Sequence, residues 1–365
     1  MCPYCDFAVQ TGPAHQRSAF VETLQREAVL WADWPVEFDT LYLGGGTPSM
    51  LNPGQLEKII DTVSTVLPVA DDVRLFMEVN PEDVSTESVT AWRDLGVATI
   101  SLGTQSFVDE ELKHLGRRHT AEQGQRAVEC CLEAGFDTVS VDLIFGLPRQ
   151  SPQQLKQSLR VIEQLSPHHV SGYQLTIHEG TTFGRWRDRG KLTELPDSGQ
   201  WALLELLHDE LGAAGWTAYE VSNFSASPQH RSAHNLKYWN HSPYLGLGPS
   251  AHSFDGRNRW WNVRTTRAYE QLLTNGERPI EASEQLSAAE LALETVMLGL
   301  RTTSGIERKT FQARFGFDLA SHNQSLLEDL TDRGLLVVDT ISIAPTLAGL
   351  AVADGLAAQF ELATG

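Results

Sequence analysis

The sequence predicts an α/β protein: an open, partial barrel of parallel strands and helices, followed by a smaller, mostly helical module. Three observations predict it. From Leu41 to Leu175, short apolar runs that read as strands alternate with patterns of helical period, and that alternation describes parallel βα units. Polar or glycine-rich residues follow the C-terminal ends of these runs, where a parallel α/β barrel carries its chemistry. Beyond Gly190 the texture changes, first to segments rich in tryptophan, histidine and asparagine, then from Ala288 to helices and a hairpin.

Taken in order, Arg17 to Trp31 carries Phe20, Val21, Leu24 and Ala28 at helical spacing. Phe38 to Leu43 reads as a strand ending in Gly44-Gly45-Gly46-Thr47-Pro48. Leu56, Ile59, Ile60, Val63 and Leu67 mark a helix that Pro53 helps to start. Val73 to Val79 is the next strand, stopped by Asn80-Pro81. Thr86 to Leu95 is a short helix, Val97 to Leu102 a strand, Ala121 to Ala134 a helix and Thr138 to Leu143 a strand. Gln153 to Leu165 is again helical and His169 to Leu175 again strand-like. Five strands are too few for a closed eight-strand barrel, so an open one fits. Between Gly190 and Arg278 periodicity is weak and no element is assigned. Helices follow around Leu291, Thr295, Leu298 and Leu300, over Lys309 to Phe315 and over Leu319 to Arg333. Leu335 to Val338 and Thr340 to Ile343 form a candidate hairpin, so the end of the chain reads as winged-helix-like. The expected domains are residues 1–190 for the partial barrel, 191–285 for an extension and 286–365 for the C-terminal module.

The 365 residues are 41% hydrophobic with 9 tryptophans, enough for a sizeable core, and carry a formal net charge of −19. That charge argues against nucleic acid or anionic membranes as broad partners. The C-terminal module therefore reads as a packing or partner-contact unit. No apolar run approaches the roughly 18 residues of a membrane span, and no signal-peptide pattern opens the chain. Four cysteines in a chain this long are not a secreted disulfide scaffold. A reducing, cytoplasmic setting is expected.

The residues that carry chemistry begin with Cys2 and Cys5, three apart with Tyr4 between them. They read as thiolate ligands on one tight loop, able to converge on zinc or on an iron–sulfur cluster. No second CxxC or histidine pair completes a zinc finger. Cys130 and Cys131, adjacent on one helix, read as small buried apolar residues. The three glycines before Thr47 let a ligand meet backbone N–H and C=O groups without side-chain obstruction. The loop lacks both the Lys-Ser/Thr ending of a phosphate loop and the spacing of a dinucleotide fingerprint. Taken alone it is equally a tight turn. Glu78 and Asp142, taken alone, can be capping or ion-pair acids, and Arg117 a solvated charge.

In this order the residues resemble those of the radical S-adenosylmethionine superfamily, in particular the branch of the coproporphyrinogen III dehydrogenases and HemW-type haem chaperones. Cys2-Pro3-Tyr4-Cys5-Asp6-Phe7 looks like the end of the CxxxCxxC motif, and Gly44 to Pro48 like the methionine-binding loop. Glu78, Gln105, Arg117 and Asp142 follow in the family's order, and the resemblance runs over nearly the whole chain. It implies a partial (β/α)6 barrel and a [4Fe-4S] cluster with Cys2 and Cys5 among its ligands. It also implies an S-adenosylmethionine site made of Tyr4, Gly45, Gly46, Thr47, Glu78, Gln105, Arg117 and Asp142. Three thiolates on a cubane leave one iron open to the amino and carboxylate groups of the methionine moiety. Tyr4 can lie near the adenine, and the glycine loop can meet the methionine end. Glu78, Gln105 and Asp142 can reach the ribose hydroxyls and the ammonium, and Arg117 offers a two-pronged donor to a carboxylate.

Two features separate the branches. The dehydrogenases resemble CxxxCxxCxC, and the place of their further cysteine is Phe7. His234-Asn235-Leu236-Lys237-Tyr238-Trp239 matches the HNxxYW motif of the haem chaperones. The resemblance thus implies haem held by His234, Asn235, Tyr238 and Trp239, with His252 a second candidate, and transfer of haem to an acceptor protein. An imidazole beside aromatics suits a porphyrin, although the same residues without the resemblance read as a packed core histidine. The alternative is an oxygen-independent coproporphyrinogen III dehydrogenase, so whether the chain is an enzyme stays open and no catalytic residue is named. Contact with membrane haem proteins, and a monomer or a homodimer, stay open too. The family motif also has a first barrel strand and a cysteine four residues ahead of Cys2. Both fall before Met1, so either the start is assigned too late, which the retained Gly44–Pro48 loop, Glu78, Gln105, Arg117 and Asp142 favour, or this copy has lost its cluster. As written, two thiolates are expected to reconstitute a cluster poorly, and the strand of Leu41 to Leu43 to form an unpaired sheet edge.

Overall fold

The computed structural model describes residues 2–7 and 14–362; Met1, residues 8–13 and residues 363–365 of the expected domains lie outside that range. Five parallel strands form the centre: β1 (Phe38–Leu43), β2 (Val69–Val79), β3 (Val97–Gln105), β4 (Thr138–Phe145) and β5 (His169–Gln174). They pair in sequence order, β1 with β2 through to β4 with β5, and the sheet stays open, with β1 at one edge. Beyond β5 it continues through two short antiparallel strands, β6 (Thr217–Ala218) and β7 (Asn223–Ser225), with β7 beside β5. Strands this short show no readable alternation, which is why the sequence does not reveal them.

The helices preceding and crossing between the strands are α1 (Ala14–Leu30), α2 (Pro53–Val66), α3 (Thr86–Asp94), α4 (Asp109–His114), α5 (Ala121–Ala134) and α6 (Pro152–Leu165). Four of them start on capping boxes, at Asn52 with Gln55, Ser85 with Ser88, Thr120 with Gln123 and Ser151 with Gln154. In each, two backbone donors at the helix start are satisfied reciprocally. Then come α7 (Thr182–Asp188) and α8 (Asp197–Ala213). The latter corrects the sequence reading, which assigned no element there. Trp201, Leu203, Leu204, Leu206, Leu207 and Leu211 spread apolar residues over too much of the helix for a clean stripe.

Side-chain alternation along the strands decides where the chemistry lies. Met77 and Val79 of β2, Ile100 and Leu102 of β3, and Val139, Val141 and Leu143 of β4 join Leu56, Trp92, Val128, Leu159 and Leu207 from the helices in one core. The residues between them, Glu78, Ser101 and Asp142, line the other face, because successive strand side chains point to opposite sides. The inner face of the open barrel is therefore polar.

The extension holds α9 (Ala233–Trp239), α10 (Thr266–Thr274) and an antiparallel sheet of β8 (His252–Phe254), β9 (Asn258–Asn262) and β10 (Ile280–Gln285). Trp31 stacks on Trp260, with ring centroids 5.3 Å apart, and Trp34 packs beside both. This apolar contact fixes the extension against α1.

The C-terminal module comprises α11 (Ala288–Gly299), α12 (Arg308–Phe315), α13 (Leu319–His322), α14 (Gln324–Asp332), α15 (Leu347–Leu350) and α16 (Ala353–Ala357). Its sheet joins β11 (Ile306–Glu307), β12 (Leu336–Val338) and β13 (Ser342–Pro345). The expected single helix over Leu319 to Arg333 is two. At the break, the Asn323 side chain donates to the carbonyl of Glu361 at 2.9 Å and accepts from its N–H at 2.7 Å, tying down the chain end. The hairpin also sits further along than expected. The Asp339 carboxylate accepts the N–H groups of Ile341 and Ser342, both at 2.7 Å, which turns Thr340 and Ile341 into the bend.

Candidate functional site

The C-terminal ends of β1 to β4, the loop of Cys2 and Cys5, and the extension surround a cleft of about 2190 Å³. That is several times an ordinary small-molecule pocket of roughly 300–1,000 Å³, so two ligands can share it. Tyr4, Gly45, Gly46, Thr47, Glu78, Gln105, Arg117 and Asp142 all line it, together with Cys2 and Cys5. Gly45, Gly46 and Thr47 follow β1, Glu78 and Gln105 sit at the ends of β2 and β3, Asp142 lies within β4, and Arg117 follows α4, so the parallel strands bring them to one rim.

The Cys2 loop closes on itself through the Cys5 N–H and the Cys2 carbonyl, 3.3 Å apart. It is anchored to the barrel where the Phe183 N–H donates to the Pro3 carbonyl at 2.9 Å. Tyr4 packs on a cluster of Leu115, Ile144, Leu175, Ile177 and Phe183 while facing the cleft. Burial lifts the Tyr4 hydroxyl and the Cys5 thiol above their ordinary pKa values.

Arg117 is held by the protein's own acceptors on the rim of the cleft. One guanidinium nitrogen donates to Asn80 Oδ1 at 2.9 Å and to the Gly103 carbonyl at 2.7 Å; the other lies 3.6 Å from Cys2 Sγ. Neutral acceptors thus fix the side chain beside the thiol.

Gly45 has φ +89°, and a Cβ at Gly45 or Gly46 would meet nothing within 4 Å, so the loop presents open backbone to the cleft. Gly44 is the opposite case: a Cβ there would run into the Tyr42 ring and lie 2.9 Å from Glu78 Oε1. Glu78 accepts from the Gly45 N–H at 3.1 Å and from the Tyr42 hydroxyl at 2.9 Å. Burial raises its pKa despite those bonds. Asp142 accepts from Ser101 Oγ at 2.9 Å, and burial pushes its carboxyl up to about 7. Gln105 reaches the cleft through a left-handed backbone, φ 67°, where the β3–β4 register shifts. A bulge of this kind at a barrel rim re-aims a side chain, and Gly103 within the strand pattern is its sequence signal.

The HNxxYW residues divide. His234 and Tyr238 face the cleft. Asn235 instead lines a small polar cavity with His169 and Ser140, and Trp239 lies away from the cleft lining. His234 Nδ1 is 3.0 Å from Thr40 Oγ1 and Nε2 is 3.0 Å from the Tyr238 hydroxyl. A phenol is the better donor, so the natural assignment gives Nδ1 the proton and leaves the Nε2 lone pair toward the exposed Tyr238. Burial, with Lys237 nearby, pushes His234 down to about 4, so the ring is neutral at physiological pH. His252 is exposed on the cleft and stacks on Trp261, with centroids 5.7 Å apart. Sequence reading passed over Tyr42, Thr40 and Asn80. The first two were legible only as alternate residues of β1.

Cys131 is fully buried in the core and Cys130 packs beside it. Among the described residues no third metal-binding side chain joins Cys2 and Cys5. That set is part of a cubane's donors. The open glycine loop with its ring of polar side chains fits S-adenosylmethionine, and the neutral imidazole fits haem iron.

An open parallel barrel with this cleft is the architecture of the radical SAM fold. The solved structure described as coproporphyrinogen III oxidase (HemN) from Escherichia coli superposes with a TM-score of 0.83, covering 98% of this chain and 86% of that one at 21% identity. The Radical SAM superfamily model matches residues 1–162 and the HemN C-terminal domain model residues 286–352. The heme chaperone HemW of Bacillus subtilis (strain 168) is 32% identical over 342 residues, 92% of this chain and 89% of that protein. The heme chaperone HemW of Escherichia coli (strain K12) is 34% identical over 326 residues, 86% of this chain and 83% of that protein. The chain belongs to the radical SAM superfamily and, within it, to the HemW family. Among the described residues no helix is long and apolar enough to cross a membrane.

Proposed function

We propose that this protein is a haem chaperone, which holds haem in the cleft at His234 and passes it to an acceptor protein, with S-adenosylmethionine held beside it. One observation carries the reading: His234, a neutral imidazole, lines the same cleft as the glycine loop, with Nε2 paired only to the hydroxyl of the cleft-lining Tyr238. The neutral ring is the form that ligates iron, and Tyr238 gives up its hydrogen bond when it does. Tyr238, Tyr244 and Trp261 supply aromatic faces for a porphyrin, and His252 is the second ligand candidate. On the other side of the cleft, Gly45, Gly46 and Thr47 offer backbone groups to the methionine end. Glu78, Gln105 and Asp142 offer polar groups to the ribose and ammonium, and Tyr4 an aromatic wall. S-adenosylmethionine, bound to an iron–sulfur cluster, supplies reductively generated radical chemistry in this superfamily. In a haem chaperone the chain's own residues bind and orient it. We place the protein in the cytoplasm, where thiols stay reduced.

The test is anaerobic incubation of the reconstituted chain with haem and, separately, with coproporphyrinogen III. Stoichiometric haem retention that falls on His234→Ala supports the chaperone. Formation of protoporphyrinogen would show instead that the chain is a dehydrogenase.

A further inference from the structure

We infer that Tyr42 is a positioning residue that couples the glycine loop to His234, so that a ligand bound at Gly45 and Glu78 alters the setting of the imidazole. The inference rests on the two-ligand reading of the cleft and adds the physical link between its halves. That link consists of three direct contacts. The Gly45 N–H donates to Glu78 Oε2 at 3.1 Å, and the Tyr42 hydroxyl donates to Glu78 Oε1 at 2.9 Å. The Tyr42 ring then stacks on His234, with centroids 4.8 Å apart and 24° between the planes. Phe76 packs against both rings, 5.9 Å from the imidazole centroid and 6.2 Å from that of Tyr42.

Strand geometry makes the link rigid. Thr40 and Tyr42 are two residues apart on β1 and so share a face, and both touch His234, Thr40 through Nδ1. The imidazole therefore has one fixed hydrogen bond and one stacking surface, both from a single strand. Only Nε2, toward Tyr238, is left to exchange partners. At the other end the loop presses on the pair, since even a Cβ on Gly44 would overlap the Tyr42 ring. A carboxylate has about four acceptor positions, so Glu78 can take a ligand hydroxyl or ammonium as well as its two present donors. Engaging that ligand turns the carboxylate, and the hydrogen-bonded phenol must follow. A close-packed ring cannot move without moving its stacking partner.

The experiment titrates haem into the anaerobically reconstituted full chain, with and without saturating S-adenosylmethionine, for wild type and Tyr42→Phe. That substitution keeps the ring and removes only the hydroxyl. In wild type, S-adenosylmethionine shifts the haem Kd by about fivefold or more, the lower range of ordinary coupling, and moves the Soret band. In Tyr42→Phe the shift falls below about twofold. A parallel measurement needs no haem: the ¹⁵N imidazole signals of His234, assigned with His234→Gln, move on addition of S-adenosylmethionine in wild type and not in Tyr42→Phe. A wild-type His234 signal that stays put at any S-adenosylmethionine concentration overturns the inference, as does undiminished coupling in Tyr42→Phe. If the chain fails to bind haem but the His234 signal moves, the chaperone reading fails and the coupling stands. Should Tyr42→Phe not fold, the wild-type signal alone decides.

Discussion

The Gly248 N–H donates to the carboxyl of Glu27 at 2.7 Å, across 221 residues of sequence. The same carboxyl accepts from Asn262 Nδ2 at 2.6 Å and from the Tyr269 hydroxyl. One fully buried acid on α1 thus organises the turn before His252, strand β9 and helix α10. Glu27→Ala removes the acceptor of the Gly248 N–H and the Tyr269 hydroxyl and one of the two acceptors of Asn262 Nδ2, and a buried donor left unpaired costs about 1–3 kcal/mol. It is expected to destabilise the chain by about 3 kcal/mol or more in urea unfolding.

Glu27 also gives a pH dependence with a definite sign. Burial lifts its carboxyl from an ordinary 4.5 to about 7. Between those values the folded chain keeps a proton that the unfolded chain has released, so this group's contribution to stability falls as pH rises through the window. His169 and His234, pushed by burial to about 3 and about 4, act oppositely: their contribution falls as pH drops below 6.5. The Glu27 effect is therefore read as a difference. Unfolding midpoints at pH 5 and pH 8 should show Glu27→Gln gaining on wild type at the higher pH, by at most about 1.4 kcal/mol per unit.

Two neighbouring glycines should behave differently. Gly44→Ala puts a methyl into the Tyr42 ring and beside Glu78, and such overpacking costs about 1–3 kcal/mol. Gly46→Ala meets nothing. Thermal melts should separate the two, with Gly46→Ala within about 1 kcal/mol of wild type. Any loss of S-adenosylmethionine binding in Gly46→Ala then reports on the cleft alone.

Metal retention should map onto one pair of thiols. After anaerobic reconstitution, iron and sulfide per chain should drop on Cys2→Ala or Cys5→Ala and be unmoved by Cys130→Ala. Loss of iron with Cys130→Ala would contradict the assignment of that residue to the margin of the core.

Arg259 on β9 holds both oxygens of Glu294 on α11, at 2.8 and 2.7 Å, joining the extension to the C-terminal module. Arg259→Lys keeps the charge and loses the fork. A cost of about 1–2 kcal/mol is expected, visible as faster proteolytic release of the module.

The sequence by itself determined much of the barrel and the roster of its rim. Period-two alternation along β2, β3 and β4 placed Glu78, Ser101 and Asp142 opposite the core, since that pattern is local to each strand. The four capping boxes fixed where α2, α3, α5 and α6 begin, again through residues three apart. Tertiary structure decided what local patterns do not carry. His234 lies 194 residues from Thr40 and sits against it only because the extension folds back along the β1 edge. Arg117, beyond α4, meets Asn80 after β2 and Gly103 within β3, an encounter that only the parallel pairing of those strands creates. The HNxxYW motif reads as one unit in sequence, yet a helix turns its residues to different sides. His234 and Tyr238, four apart, share the face toward the cleft, while Asn235 and Trp239 point elsewhere.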